Sequence, residues 1–147
     1  MKLTKAQVKE LAENLQLGYT VYINLDTGEI KYLIDEDKYP DAREMFAEEL
    51  DEIEAWDNFV ELQEMPSFEA FRVMEDFAYN VDDDFHDDLM NVLDRRKPVA
   101  NFKELVESSD YREEWFKYRD QRYLEYTEKL LRYEEINFES NLEEDYE

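Results

Sequence analysis

Residues 66–81 read PSFEAFRVMEDFAYNV, and two further segments, LDRRKPVANFKELV (93–106) and DYREEWFKYRDQRYLEYTEKLLRY (110–133), follow them. Each segment repeats apolar residues at steps of three and four, which is the period of one face of an α-helix. Ser67 is the predicted N-cap of the first helix. Its predicted core stripe consists of Phe68, Phe71, Met74, Phe77, Ala78 and Val81. The chain between residues 65 and 133 is therefore predicted to form a helical core.

Two shorter helices are predicted inside this region. Asp82, Asp83 and Asp84 precede an apolar stripe that ends at Leu93, and acids are favoured in the first turn by the helix macrodipole. Pro98 separates that helix from the next one, because proline cannot continue a helix through its own position. The apolar face of the second short helix consists of Phe102, Leu105 and Val106.

The last helix is the longest, and it combines aromatic and basic residues on one face. Its predicted span is 111–133, where Tyr111, Trp115, Tyr118, Tyr126 and Tyr133 fall within about a third of a turn. Arg112, Arg119, Arg122 and Lys129 lie on the same arc. Arginine beside aromatic rings can grip phosphate and stack on bases, but the same pattern also arises when aromatics face a core and arginines pair with acids at its margin.

The N-terminal half predicts a helix followed by strands. Thr4 and Gln7 have the spacing of a capping box, and the predicted helix runs from Lys5 to Leu15. The runs YTVYINL (19–25) and EIKYLI (29–34) flank a turn at residues 26–28, where Gly28 can supply the positive φ of a hairpin. A third antiparallel strand is predicted within DNFVELQE (57–64).

Between the hairpin and the third strand the sequence predicts one acidic helix. Pro40 suits its first turn, and its apolar stripe consists of Ala42, Met45, Phe46, Leu50 and Ile53. Together these patterns predict an α+β fold, in which a small three-stranded antiparallel sheet in the N-terminal half packs against five or six helices. We expect one domain over residues 1–147, with an acidic, frayed tail over residues 134–147.

Composition excludes several classes of function. The 147 residues contain no Cys, one His and two Gly, so thiol chemistry, zinc sites that need two His, and glycine-rich phosphate loops are excluded, and no cofactor is expected. No stretch approaches the roughly 20 apolar residues of a membrane span, and MKLTKAQVKELAENL lacks the apolar run of a signal peptide. The sequence therefore predicts a cytoplasmic protein without a membrane partner.

The net charge of −24 is sorted along the chain. Residues 35–94 hold 22 acids against Lys38, Arg43 and Arg72, whereas residues 95–132 hold ten Lys and Arg against eight acids. An acidic surface, such as residues 35–94 would form, repels nucleic acid and attracts cations. The expected partner is therefore a basic protein surface, and nucleic acid is possible but disfavoured.

Two sets of residues are candidates for binding. The candidate basic and aromatic face consists of Arg95, Arg96, Lys97, Trp115, Arg119, Arg122 and Tyr126. The second set lies in DDDFHDD (82–88), where Asp83 and Asp87, and Asp84 and Asp88, lie one helical turn apart and offer the oxygen ligands that Mg²⁺ and Ca²⁺ prefer. That segment lacks the glycine and spacing of an EF-hand, so we interpret it mainly as a solvated helix start and only as a weak metal candidate. No catalytic residue is predicted.

Four segments of the chain also resemble a known protein family. GYTVYINLDTGEI (18–30), FEAFRVMEDF (68–77), RRKPVANFK (95–103) and EEWFKYRDQR (113–122) together resemble the bacterial Uncharacterised Protein Family 0158. The resemblance covers most of the chain. It implies a fold and a cytoplasmic location, and it transfers no activity, cofactor or catalytic residue.

Three classes of function stay open from the sequence. The leading hypothesis is a non-catalytic interaction or regulatory protein whose acidic surface docks a basic partner. The alternative is a binder of nucleic acid or of a phosphorylated ligand that uses residues 95–97 and the long helix. The third is an enzyme that depends on carboxylates or a metal ion, since 41 acids leave close pairs unavoidable.

Overall fold

The computed structural model describes residues 1–34 and 37–142. These residues form seven helices and three strands in the order α1 (Lys5–Gln16), β1 (Tyr19–Asn24), β2 (Ile30–Ile34), α2 (Ala42–Met45), α3 (Ala47–Glu54), β3 (Phe59–Leu62), α4 (Ser67–Ala78), α5 (Asp83–Leu93), α6 (Pro98–Glu107) and α7 (Arg112–Tyr133). The α+β class and the three-stranded antiparallel sheet are confirmed. The count of five or six helices is wrong, because the chain leaves helical geometry at Phe46 and divides the predicted acidic helix into α2 and α3.

The chain divides into two compact units. The first unit holds residues 1–65 together with the chain from Tyr123 onward, and the second unit holds residues 66–122. The single domain expected from the sequence stays a prediction.

In the first unit, β1 is the central strand of the sheet. It pairs antiparallel with β2 from Tyr19 opposite Ile34 to Ile23 opposite Ile30, and antiparallel with β3 from Val21 opposite Leu62 to Asn24 opposite Phe59. The strand order is therefore β2-β1-β3. Gly28 closes the hairpin with φ = 81°, as its turn requires.

Alternation along the strands gives the sheet two chemically different faces. The first face carries Val21, Ile23 and Leu62, which are buried in one core with Val8, Leu11 and Leu15 of α1 and Leu131 of α7. The second face carries Thr20, Tyr22, Lys31, Leu33, Phe59 and Glu61, which follow from the same register. The predicted capping box is confirmed, since the Thr4 hydroxyl accepts from the Gln7 N–H and the Thr4 N–H donates to Oε1 of Gln7.

The chain after α7 packs against the N-terminal segment within the first unit. Leu3 and Phe138 form a parallel bridge, in which the Leu3 N–H donates to the Asn137 carbonyl and the Glu139 N–H donates to the Leu3 carbonyl. Ile136 is buried in the core of this unit. These contacts involve residues 136–139. The fraying expected over residues 134–147 stays a prediction, and residues 143–147 lie outside the described residues.

In the second unit, aromatic rings form the centre of the core. The indole ring of Trp115 lies edge-on to the rings of Phe77, at 5.2 Å between centroids, and Phe102, at 5.0 Å. Pro98 occupies the first turn of α6, whose buried residues are Phe102 and Val106. The predicted break is confirmed, and of the predicted face Phe102 and Val106 are buried whereas Leu105 is half-buried.

Three side chains from the predicted apolar stripes and the aromatic arc are exposed. Phe68 is 69% exposed, because the buried face of α4 runs through Val73, Met74, Phe77 and Ala78, and at about 100° per residue Phe68 points to the opposite side. Tyr133 is 84% exposed for the same reason, since the buried residues in this half of α7 are Thr127, Glu128 and Leu131. Met45 is 65% exposed, just before the break at Phe46.

The start of α4 also differs from the prediction. The helix begins at Ser67, so Pro66 occupies the N-cap position and no side chain caps the helix. Ser67 therefore stands in the first turn and not before it. The Pro66 carbonyl accepts hydrogen bonds from the N–H groups of Glu69 and Ala70.

Candidate functional site

A cavity of about 190 Å³ lies in the first unit, between the second face of the sheet and the segment that contains α2 and α3. From the strands it is lined by Thr20, Tyr22, Leu33, Ile34, Glu61 and Gln63, and from the segment after β2 by Asp37, Ala42, Arg43, Phe46 and Leu50. We call this the sheet cavity. Pockets for small-molecule ligands usually enclose about 300 Å³ or more, so the sheet cavity fits one amino-acid side chain better than a cofactor.

The local sequence explains why a cavity forms here. The second face of the sheet alternates short polar and long side chains, and Tyr22 stands between Lys31 on β2 and Glu61 on β3. The break at Phe46 turns the chain between α2 and α3, so two short helices cover the face where one straight helix was predicted. The sheet cavity is the space between the side chains of this segment and those of the sheet.

An ion pair ties α3 to the sheet beside the cavity. The Nζ atom of Lys31 lies 2.6 Å from a carboxylate oxygen of Glu52 and 3.2 Å from one of Glu29. The hydrogen bond to Glu52 raises the pKa of Lys31 above its ordinary value, and the bond to Glu29 adds to the effect against the opposing influence of burial. The ammonium group of Lys31 on β2 is thus paired with Glu29 and Glu52, which belong to the same unit.

The lining of the sheet cavity is mostly apolar inside and charged toward solvent. Leu33, Ala42 and the polar Thr20 are buried, and Phe46 and Leu50 are half-buried. The charged lining residues Asp37, Arg43 and Glu61 are all exposed. This arrangement suits a long side chain that has an apolar stem and a charged end.

Exposed apolar side chains accompany the cavity in the same stretch of chain. Tyr39, Met45 and Phe59 are among the large hydrophobic residues that face solvent. The ring of Phe59 contacts those of Tyr22, at 6.2 Å between centroids, and Trp56, at 6.1 Å. Exposed acids interleave with them, namely Asp41, Glu44, Glu48, Asp51, Glu52, Glu54 and Asp57.

The predicted basic and aromatic face is divided among different environments. Arg95, Arg96 and Lys97 are exposed in the connection between α5 and α6, where Lys97 adopts a left-handed conformation with φ = 51°. Trp115 is buried in the core of the second unit and presents no ring to solvent. Its indole N–H has no hydrogen-bond partner among the described residues. Trp115 therefore cannot stack on a nucleic-acid base in this conformation.

Arg119 and Arg122 both have partners within the second unit. Arg122 donates to Asp76, at 2.9 Å, and to the Tyr118 hydroxyl, at 2.7 Å. Burial lowers the pKa of Arg122, but the bonds to Asp76 and Tyr118 outweigh it and raise the value above the ordinary one. Arg119 donates through Nε and Nη2 to Asp120, and its guanidinium lies 4.8 Å from the centre of the Phe116 ring. These contacts match the interpretation of the arginines as partners of acids at the margin of a core.

The tyrosine of the predicted face belongs to the first unit. The Tyr126 hydroxyl donates to the carbonyl oxygens of Gln63, at 2.9 Å, and Glu64, at 3.1 Å, directly after β3. It is packed against the core cluster of that unit. Tyr126 therefore has a structural contact that its place in the sequence did not indicate.

Asp82, the first acid of the segment 82–88, caps the start of α5. Asp82 accepts a hydrogen bond from the Phe85 N–H at 2.8 Å, and this bond, followed by the one from the Tyr111 hydroxyl, lowers the pKa of Asp82. Asp83, Asp84, Asp87 and Asp88 are exposed. Within residues 1–34 and 37–142, no group of three or more His, Cys, Asp or Glu side chains is arranged to hold a metal ion.

The comparison with known families covers nearly the whole chain. The model of an uncharacterised protein family, UPF0158, matches residues 2–147. The chain belongs to Uncharacterised Protein Family 0158. No curated protein and no solved structure matches this UPF0158 chain. As for membranes, none of the helices in the described part of the UPF0158 chain is long and apolar enough to cross a bilayer.

Sequence reasoning missed two features of this UPF0158 protein. The first is the sheet cavity, which depends on the break at Phe46 and on the register of three strands. The second is Glu128, a charged residue whose side chain is fully buried. Its carboxylate accepts hydrogen bonds from the Ser140 hydroxyl, the Asn141 N–H and Arg132. Only Arg132, four residues later, could have been read as a partner from spacing.

Proposed function

We propose that this protein is a non-catalytic binding protein that docks a basic partner on the acidic surface of its first unit. In this proposal one lysine or arginine side chain of the partner enters the sheet cavity. The observation that carries it is the lining of the cavity, where the buried Leu33 and Ala42 form an apolar wall and the acids Asp37 and Glu61 stand on the exposed side. A lysine or arginine stem can pack on such a wall while its charged end meets the carboxylates.

The surroundings of the cavity add long-range attraction. Residues 37–64 contain eleven acids against two bases, Lys38 and Arg43. Lys38 is paired with Glu64 at 2.6 Å, and Arg43 lines the cavity as its one basic residue among those described. A surface of this sign accelerates the encounter with a cationic partner, and the effect weakens with salt because exposed charges are screened beyond about 8–10 Å.

Exposed apolar side chains supply the contact area that charge alone lacks. Met45 and Tyr39 face solvent within the acidic stretch, and flexible methionine side chains adapt to partners of different shape. Apolar residues rimmed by polar ones are typical of protein interaction surfaces. The mixture favours a protein or peptide partner over a free cation.

The contacts of the arginines favour this proposal over binding of nucleic acid. Arg119 and Arg122 are engaged by Asp120 and Asp76, so a phosphate would have to compete with these acids for the guanidinium groups. Trp115 is enclosed by Phe77 and Phe102 and offers no stacking platform. Three of the side chains on which the nucleic-acid alternative depends thus already have contacts within the second unit.

Filling the sheet cavity tests the proposal. Leu50 lines the cavity and is half-buried, so Leu50→Trp should occupy space that the partner side chain needs. The probe is a fluorescent peptide of alternating lysine and valine, titrated by anisotropy at low salt. We expect Leu50→Trp to weaken binding at least tenfold and Leu17→Trp, which adds the same side chain at an exposed position, to bind like wild type.

Two results would overturn the proposal. One is wild-type protein that does not bind the peptide at low salt. The other is a folded Leu50→Trp variant, verified by circular dichroism, that binds as tightly as Leu17→Trp. Binding that persists unchanged in about 0.5 M salt would contradict the electrostatic part of the argument.

A further inference from the structure

The strand order leaves β3 at an edge of the sheet. β1 lies between β2 and β3, and no further strand pairs with β3 within the part of the chain that the structure describes. An edge strand presents N–H and C=O groups to which another extended chain can bind. The free side of β3 is therefore a possible interaction surface for the partner proposed above.

The register shows which residues of β3 present these groups. The Leu25 N–H donates to the Asn58 carbonyl, and Ile23 and Val21 stand opposite Val60 and Leu62. In an antiparallel pair, alternate residues of one strand bond to the neighbour and the residues between them point away. Asn58, Val60 and Leu62 thus bond to β1, whereas the N–H and C=O groups of Phe59 and Glu61 point to the free side.

A contact at the end of β3 limits the length of this edge. The Tyr126 hydroxyl donates to the carbonyl oxygens of Gln63 and Glu64, so the chain just after β3 is already engaged. The open part of the edge is then residues 59–61, with two N–H and two C=O groups. This is enough for a short extended segment and too little for a whole sheet.

The two edges of the sheet differ in charge. β2, at the other edge, carries Lys31, and a lysine on an edge strand discourages further pairing. β3 has no base, and it carries the exposed acid Glu61 beside the exposed ring of Phe59. Opposite charges directly across two strands stabilise the pair. The edge at β3 therefore fits a basic segment.

We infer that the basic partner docks as an extended segment that adds a fourth strand to the sheet at β3. This inference rests on the proposed function and specifies how the partner binds. Side chains on the second-face side of the added strand lie next to Phe59 and Glu61, and Glu61 also lines the sheet cavity. A lysine or arginine beside Glu61 would then reach the cavity, and a neighbour two residues away would pack on Phe59.

N-methylation of the probe distinguishes strand addition from docking by charge alone. The peptide of alternating lysine and valine is compared with two analogues of the same sequence, one methylated on the lysine amides and the other on the valine amides. Methylation removes the N–H donors of one edge and preserves the net charge. Strand addition predicts that one analogue binds at least tenfold more weakly than the unmodified peptide and that the other binds within about threefold of it.

The possible outcomes distinguish a failure of strand addition at β3 from a failure of the proposed function. If all three peptides bind equally well, strand addition is wrong, and docking by charge stands. If both analogues are weakened equally, no particular edge of the peptide is used, and strand addition is again wrong. If no peptide binds, including the unmodified one, the proposed function fails together with this inference.

A variant of the protein tests the same edge from the other side. Glu61→Pro removes the outward N–H but none of the bonds to β1, and proline is tolerated where an edge N–H faces solvent. Glu61→Gln removes the same charge and keeps the N–H. We expect Glu61→Pro to bind the unmodified peptide at least tenfold more weakly than Glu61→Gln does. Equal affinities of the two variants for the peptide would contradict the inference. The peptide analogues keep the inference testable if Glu61→Pro does not fold.

Discussion

The hydroxyl of Ser140 donates a 2.6 Å hydrogen bond to the carboxylate of Glu128, and both side chains are buried. The Asn141 N–H donates to the second carboxylate oxygen at 2.9 Å. An ionised carboxylate inside a protein is tolerated when hydrogen bonds replace the water it has lost. Glu128 therefore fastens residues 140–141 to α7 within the first unit.

Replacing Glu128 should destabilise the protein strongly. Glu128→Ala removes the carboxylate that accepts from the buried Ser140 hydroxyl and the half-buried Asn141 N–H, so we expect a loss of about 2–4 kcal/mol in the free energy of unfolding. Glu128→Gln keeps one acceptor oxygen and should lose less, about 1–2 kcal/mol. Urea denaturation measures both. Glu139→Ala, at an exposed site, should stay within about 0.5 kcal/mol of wild type.

Arg122 should contribute more than Arg119 to the free energy of unfolding. Arg122→Ala removes bonds to Asp76 and Tyr118, and we expect it to cost about 1–2 kcal/mol. Arg119→Ala removes a pair with the exposed neighbour Asp120, and it should cost about 0–1 kcal/mol. Chemical denaturation of each single variant and of the double variant gives these values.

The same double variant tests the nucleic-acid alternative. Any retention of a short single-stranded oligonucleotide by the wild type should be unchanged in Arg119→Ala with Arg122→Ala, because both side chains serve acids of the second unit. Fluorescence anisotropy at low salt makes the comparison. A stable double variant that loses oligonucleotide binding would show that this face is a binding surface.

Tyr32 should make the protein less stable in alkali. Burial, with a contribution from the negative charge of Glu10, raises the pKa of Tyr32 from its ordinary value of 10.0 to about 12. The unfolded chain releases this proton first as pH rises, so the stability present below pH 10 is lost between about pH 10 and pH 12. Tyr32→Phe does not titrate, and it should show a shallower fall in the free energy of unfolding over that range. Parallel slopes for the two proteins would mean that the phenol is not held neutral by the fold.

Local signals in the sequence predicted most of the elements. Thr4 and Gln7 form their capping box, Gly28 closes the hairpin, and Pro98 opens α6, because each of these signals acts over four residues or fewer. The third strand was predictable from its apolar residues and its shortness. The α+β fold class and the three-stranded sheet could be predicted from these elements without any knowledge of contacts between distant residues.

The features that were missed depend on contacts between distant residues. An apolar stripe with steps of three and four was drawn through Phe68, although the buried face of α4 is set by the helices that pack on it. Glu128 finds its partners 12 and 13 residues later in the chain, and no periodicity signals such a pairing. The residues that line the sheet cavity come from three strands and from the segment of two short helices. Because these elements are separated in the sequence, the lining residues form no sequence motif.

Acids at different places on the molecule test the central claim most directly. Asp37→Asn with Glu61→Gln neutralises two acids that line the sheet cavity, and Asp84→Asn with Asp88→Asn neutralises two exposed acids of α5, so the two variants have the same net charge. The measurement is the affinity of each variant and of wild type for the unmodified peptide of alternating lysine and valine at low salt. Docking at the cavity predicts a loss of at least tenfold in the first variant and less than threefold in the second. Equal losses in the two variants would mean that bulk charge alone attracts the peptide, and would contradict a docking site in the first unit.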